Sequence, residues 1–297
     1  MPGPEVGLFG KLPARGDFVR RRLDEEFIEA WDAWLQRVIA ASREALGSRW
    51  LECFLSAPVW RFVVPAGMYS KAGWVGLMLP SVDRVGRYFP LTLAAPLAED
   101  GIDVPATLAK AQPWLDQLEA LALEALAPEL DFDAFDRRLA ALVPPADLVV
   151  PAVASDDTVP LGGAKVLYQV WPLRADDEAQ GGLPAILPIT GARASAAMWL
   201  TRGGDTFGPH LASSGGPIPG SQFCALLDAA WAEHSWLVAP PIAPAAVPPE
   251  AKTVTYCDPQ TPGVDLIHGQ GGGEEGKQGD AGPLTATPGS KPDSPWA

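Results

Sequence analysis

A chain of 297 residues with 22 basic and 36 acidic side chains carries a formal charge of -14, the wrong sign for coating nucleic-acid phosphates or an anionic bilayer. Its 47% hydrophobic content, with 11 Trp and 10 Phe, is ample to offset the entropy of folding one large domain or two small ones. The start MPGPEVGLFGK lacks a signal peptide's basic and apolar regions, no window approaches the ~18 apolar residues of a membrane span, and Cys53, Cys224 and Cys257 are too far apart for a disulfide framework, so a cytoplasmic home is expected.

Residues 6–9 form a short apolar run closed by Gly10, and KLPARGDF after it has the Pro and Gly of a turn, which predicts a strand and then a loop. A helix follows: Asp24 is a fit N-cap, acids at 25, 26 and 29 suit the positive end of the dipole, and Gly47 stands where a C-cap belongs. Between those caps Phe27, Ile28, Trp31, Trp34, Leu35, Val38 and Ile39 repeat on one helical face. β-Branched and aromatic residues at 58–64 and 72–79 predict two strands joined by a turn at 65–71, with a third strand over 87–97. Pro113 at a first-turn position predicts a helix whose Trp114, Leu118, Leu121, Ala122 and Ala125 share a face, and Asp131 caps another carrying Phe132, Phe135, Leu139 and Leu142.

Residues 144–163, rich in Pro, Gly and Asp, read as a connection to a second set of elements, a candidate completion of the first sheet. That set comprises strands at 166–171 and 196–201 and a helix from Ser221 as N-cap through Phe223, Leu226, Leu227, Ala230 and Trp231. From Pro240 onward 11 Pro and 9 Gly fall in 58 residues, a composition that predicts a disordered tail over 240–297. Its apolar island at 264–267 is a possible short docking segment. The resulting expectation is an α+β domain over residues 1–239. It has a mixed, mainly antiparallel sheet covered by amphipathic helices in a three-layer sandwich, because the short connections between residues 61 and 97 suit antiparallel neighbours.

Familiar catalytic patterns are missing. The histidines at 210, 234 and 268 have no HExxH-like spacing, and His234 reads as a helix-end residue. Lys11 follows Gly10, but Leu12 stands where a phosphate-binding loop needs a hydroxyl. There is no GxSxG elbow, and no GxGxxG in the N-terminal βα region. The Arg15-Gly16-Asp17 triplet reads as a turn with charged flanks.

Charge and aromatic residues concentrate in three segments, at 7–23, 56–67 and 79–92. Arg61, between Trp60 and Phe62 in a strand whose pattern predicts burial, needs a carboxylate, for which Asp83 or Asp17 is the candidate. Arg84 and Arg87 either join that ionic network or face outward to recognise an acidic partner. An enzyme reading would place an Asp17–Lys11 or Asp83–Arg84 pair in a cleft.

The phrases GLFGKLPARGDFV, WDAWL, LSAPVWRFVVPAG and LMLPSVDRVGRYFPLTL, in this order over residues 7–97, resemble the N-terminal signature of the TagF proteins associated with type VI secretion. A weaker match continues through Met198-Trp199, Arg202-Gly203-Gly204, Phe223 and Leu226-Leu227, so that the resemblance spans residues 7–235. Where the family commonly has two adjacent tryptophans, this chain has Trp199-Leu200. Some family members are fused to a serine/threonine phosphatase, but the resemblance here extends to the TagF part alone. It implies a cytoplasmic, post-translational negative regulator of type VI secretion that binds the forkhead-associated (Fha) scaffold protein, with no catalytic residues, no metal and no cofactor.

Carried onto this sequence, the motif residues expected to hold the structure are Gly10, Pro13, Gly16, Trp34, Pro58, Trp60, Arg61, Pro80, Ser81, Gly86 and Pro90. The candidates to meet the partner are the motif residues Lys11, Asp17, Asp83, Arg84 and Arg87 together with Arg15 from the same loop. The alternatives are a structural or assembly component of the secretion machine and a hydrolase using an Asp/Arg cleft.

Overall fold

The computed structural model describes residues 4–97, 101–152, 168–173, 196–204 and 207–240, which all lie in the first of two compact units, Met1–Ala246. The tail, its apolar island and the latter part of the 144–163 connection lie outside the described residues.

A hairpin of β1 (Gly7–Gly10) and β2 (Val19–Arg21) leads into α1 (Glu25–Leu46). Asp24 keeps an extended backbone at the N-cap, and Gly47, at φ 54°, ends the helix by donating its N–H to the Arg43 carbonyl. The predicted apolar stripe, from Phe27 to Ile39, is buried. A short α2 (Trp50–Ser56) then leads into the meander β3 (Trp60–Val64), β4 (Gly73–Leu79) and β5 (Leu91–Leu97). Next come α3 (Val104–Glu124) and α4 (Phe132–Ala141), followed by β6 (Tyr168–Pro172), β7 (Ala197–Thr201) and β8 (His210–Ser214). Two four-residue helical turns, α5 (Gly220–Phe223) and α6 (Ala225–Asp228), and β9 (Leu237–Val238) complete the described chain.

The nine strands of the described residues join one sheet in the order β2-β1-β5-β4-β3-β7-β8-β6-β9, antiparallel throughout except for β6 and β9. The later strands complete the first sheet, because β7 pairs with β3.

Side chains alternate between two cores. Trp60, Phe62 and Val64 of β3 pack toward α1 and α2, with Trp74 and Met78 of β4 and Trp199 of β7. Val63, Val75, Leu77, Leu93, Met198 and Leu200 pack toward α3 and α4. With both faces covered, the inner strands read as nearly continuous apolar runs instead of the apolar–polar alternation of a half-solvated antiparallel sheet. The fold is therefore an α+β three-layer sandwich. Each large side chain taken from water into either core contributes roughly 1.5–3 kcal/mol. Four of the buried indole N–H groups are satisfied across the layers: Trp31 donates to Thr92, Trp34 to the Ile218 carbonyl, Trp60 to the Leu226 carbonyl and Trp199 to Ser214.

Two predicted helices differ from the structure. Pro113 lies inside α3; its N-cap is Asp103, whose side chain accepts from Ala106 N, and Pro105 occupies the first turn. The helix runs through Pro113 because the buried face from Leu108 through Leu115 and Leu118 to Ala122 is continuous. The helix expected from Ser221 to Trp231 is two short turns, the first with Pro219 as N-cap, and the second ends at Ala229 in the left-handed region, φ 57°. Gly220 brings this segment onto α1 so closely that an added Cβ would sit 2.3 Å from the Ala41 Cβ. Among the described residues no helix is long and apolar enough to cross a membrane.

Candidate functional site

The sequence segments singled out for their charge meet where the loop after β1 crosses the loop joining β4 to β5. Gly10 makes the crossing possible: at φ 140° it lies so close to the start of β5 that an added Cβ would stand 2.2 Å from the Pro90 carbonyl oxygen. Lys11 is thereby directed inward, where its Nζ donates to Asp83 Oδ2 at 2.7 Å with both side chains buried.

Asp83 is the hub. Its Oδ2 also accepts from Arg87 Nε at 2.7 Å, and its Oδ1 accepts the backbone N–H groups of Val85 at 3.1 Å and Arg87 at 2.9 Å. Burial alone pushes this carboxyl up. The hydrogen bonds from Lys11, from the Arg87 N–H and guanidinium and from Val85 outweigh that effect and hold it well below the usual carboxylate range.

Backbone contacts tie the loops together around this hub. Arg84 N donates to the Arg15 carbonyl at 2.8 Å, Arg87 Nη2 to the Gly16 carbonyl at 2.6 Å and Ser81 Oγ to the Lys11 carbonyl at 2.7 Å. Gly86, at φ 84°, closes the tight turn by donating its N–H to the Asp83 carbonyl.

Above the buried ion pair is a surface. Arg15, Asp17, Phe18, Arg84, Val85 and Arg87 are exposed, including 45% of Phe18 and 65% of Val85. Phe18 stacks on Phe9 at 5.7 Å and meets Phe89 edge-on at 4.9 Å, a small aromatic cluster that reaches the surface. Lys11 Nζ lies 5.0 Å from the Phe18 ring centre, and the Arg15 guanidinium 4.7 Å from that of Phe132. Asp17 accepts the N–H of Phe18.

The expected partner-facing residues therefore divide into two sets. Lys11 and Asp83 are interior and hold the loops, while Arg15, Asp17, Arg84 and Arg87 face outward. The pairs expected on an enzyme reading are rearranged, since Asp83 is held by Lys11 and Arg87 and not by Arg84, while Asp17 turns back on its own loop.

Arg61 overturns another expectation. Its side chain is 1% exposed, and it meets neither Asp83 nor Asp17. Because Trp60 and Phe62 take the α1 face, Arg61 points to α3, where Nε bonds Glu119 at 2.8 Å, Nη1 bonds Gln112 at 2.7 Å and Nη2 lies 2.8 Å from Asp116. Asp116 is also 2.7 Å from Arg202. The signal for this network is in the sequence: Gln112, Asp116 and Glu119 stand four and three apart on one helical face.

Of the other motif residues, Trp34 and Trp60 are core. Pro58, Pro80 and Pro90 line a small apolar pocket with Phe54 and Phe223. Pro13 is half-buried, and Gly16 leaves room for the Arg84 guanidinium, 3.4 Å from where its Cβ would be. His234 Nε2 lies 3.1 Å from both oxygens of Asp228. Among the described residues no group of three or more His, Cys, Asp or Glu could hold a metal ion.

The sequence model described as "TagF N-terminal domain, Type VI secretion system-associated" matches residues 7–142, the span that contains both loops and α3. The chain is also similar to the crystal structure of PA0076 from Pseudomonas aeruginosa PAO1, at 30% identity with a TM-score of 0.58, covering 76% of this chain and 94% of that one. The chain belongs to the TagF family. TagF membership links it to type VI secretion and accounts for the ordered match of its motifs from the β1 loop to β5. No curated protein matches it.

Proposed function

We propose that this TagF protein is a non-catalytic, post-translational negative regulator of type VI secretion that acts in the cytoplasm by binding another protein, the forkhead-associated scaffold. The observation that carries the reading is how the charges of the loop pair are distributed. The buried carboxylate already accepts from two cations and two backbone N–H groups, and its depressed pKa makes it a poor general base near neutral pH. Buried ion pairs of this kind contribute little net stability. This one ties two loops together, and arginines and apolar side chains on those loops are exposed. A surface rigid before it meets its partner avoids the ordering cost of association.

Deleting the gene in a secreting strain tests the reading. Effector secretion should rise while transcript levels of the secretion genes stay constant. Unchanged secretion would overturn it. If the chain instead co-purified with assembled sheath or baseplate, it would be a structural subunit.

A further inference from the structure

Resting on the binding-protein reading, we infer that the outward face of the two loops is a docking site for a carboxylate-rich segment of a partner protein that also carries an apolar anchor, with Arg15 and Arg84 as its charge-recognising residues and Phe18 and Val85 as its apolar contacts.

Charge complementarity selects this occupant. The protein as a whole is strongly acidic, at -14, yet the loop pair contributes Lys11, Arg15, Arg84 and Arg87 against only Asp17 and Asp83. Asp83 is consumed inside by Lys11 and Arg87. Among the described residues neither Arg15 nor Arg84 has a carboxylate partner: Arg15 rests on the Phe132 ring, and Arg84 joins the other loop through its backbone N–H. Two unneutralised guanidiniums are therefore held on loops whose backbones are hydrogen-bonded to each other. Planar guanidiniums suit bidentate contact with carboxylates.

Surface arginines alone could be solvated and idle. Large apolar groups accompany these two on the same loops, with Val85 immediately after Arg84 and Phe18 three residues after Arg15. That combination of arginine and aromatic residues is enriched where proteins bind proteins. The rest of the chain carries a net negative charge, which disfavours an acidic segment there on balance and leaves charge complementarity to the loop pair as the basis of selection.

The test uses the full chain and a dye-labelled peptide of alternating glutamate and leucine, with a glutamine-for-glutamate peptide as its neutral counterpart. Fluorescence anisotropy should show the acidic peptide binding, the neutral one binding at least about tenfold more weakly, and affinity falling as salt rises. Arg15→Glu with Arg84→Glu should weaken acidic-peptide binding by about tenfold or more with the native circular-dichroism spectrum retained, because neither side chain belongs to the ion pair beneath and only the Arg15–Phe132 contact is lost. Phe18→Ala should weaken both peptides.

Equal binding of the two peptides, or undiminished binding by the double-glutamate variant, overturns the inference. The two readings fail separately. If the double-glutamate variant still captures the purified forkhead-associated protein, binding stands and this surface is not its site. If the unaltered chain captures none and gene deletion leaves secretion unchanged, the regulatory reading falls.

Discussion

Asp83→Asn removes the charge at the centre of the loop pair while keeping an acceptor for the Val85 and Arg87 N–H groups. What it leaves behind is Lys11, 4% exposed, with no carboxylate to meet its ammonium. Stranding one member of a buried pair costs roughly 3–5 kcal/mol. For a domain of this size each kcal/mol lowers the thermal midpoint by about 2–4 °C, so a fall of roughly 6–20 °C is expected.

The pH dependence has a definite sign. The folded carboxyl titrates below its unfolded value, so its stabilisation is fully present above the unfolded pKa, near ~3.9, and is lost as pH falls through the folded pKa. In the variant that part of the acid limb disappears. Equilibrium urea unfolding from neutral to acidic pH, with Lys11→Met and the double variant completing a cycle, reads both effects. The double variant should be more stable than Asp83→Asn alone, since it no longer buries a lone ammonium. A loss under about 1 kcal/mol for Asp83→Asn, or additive single losses, would refute the argument that this pair is desolvated and coupled.

Gly10→Ala should destabilise by more than the ~1–3 kcal/mol that a disfavoured backbone conformation costs, because its Cβ would also enter the Pro90 carbonyl; a soluble variant with an unchanged denaturation midpoint would contradict the crossing. Arg61→Met should be milder than the double change Asp116→Asn with Glu119→Gln. The acceptors are partly solvated and can rehydrate, whereas the guanidinium they hold is buried, and urea midpoints of the two variants should rank in that order. Burial, then the Asp228 charge, pushes the Cys53 and Cys224 thiols up. With Cys257→Ser in place, the folded protein should react slowly with iodoacetamide at neutral pH and at the rate of free thiols once unfolded.

What was legible in the sequence follows the range of the interactions involved. α1 could be read end to end because its caps and its stripe are local: Asp24, Gly47 and the apolar positions between them all act within one or two turns. The meander was legible because strands buried on both faces make dense apolar runs. α2 escaped notice, since seven residues with only Trp50 and Phe54 buried are too few to show a period. Pro113 misled because a proline suits a first turn, and only the long buried face of α3, set by the sheet beneath, carries the helix through it.

The site was half legible. The segments were visible from their charge, but the partner of Lys11 lies 72 positions away, and no local rule pairs them. The carboxylates of Arg61 differ from those expected for the related reason that strand alternation decides the face. Trp60 and Phe62 claim the α1 side, leaving Arg61 to α3. Phe18 and Val85 carry no signal in the sequence, since an exposed apolar residue in a loop has no periodicity to mark it.

Protein binding by the surface above the Lys11–Asp83 pair can be measured on the intact molecule. Isothermal titration of the full chain against the purified forkhead-associated protein of the same bacterium tests it most directly. A saturable one-site isotherm is expected, with an affinity that drops with salt and is lost in the Arg15→Glu, Arg84→Glu chain while its fold persists; heats indistinguishable from dilution with the unaltered chain would rule out binding at this surface.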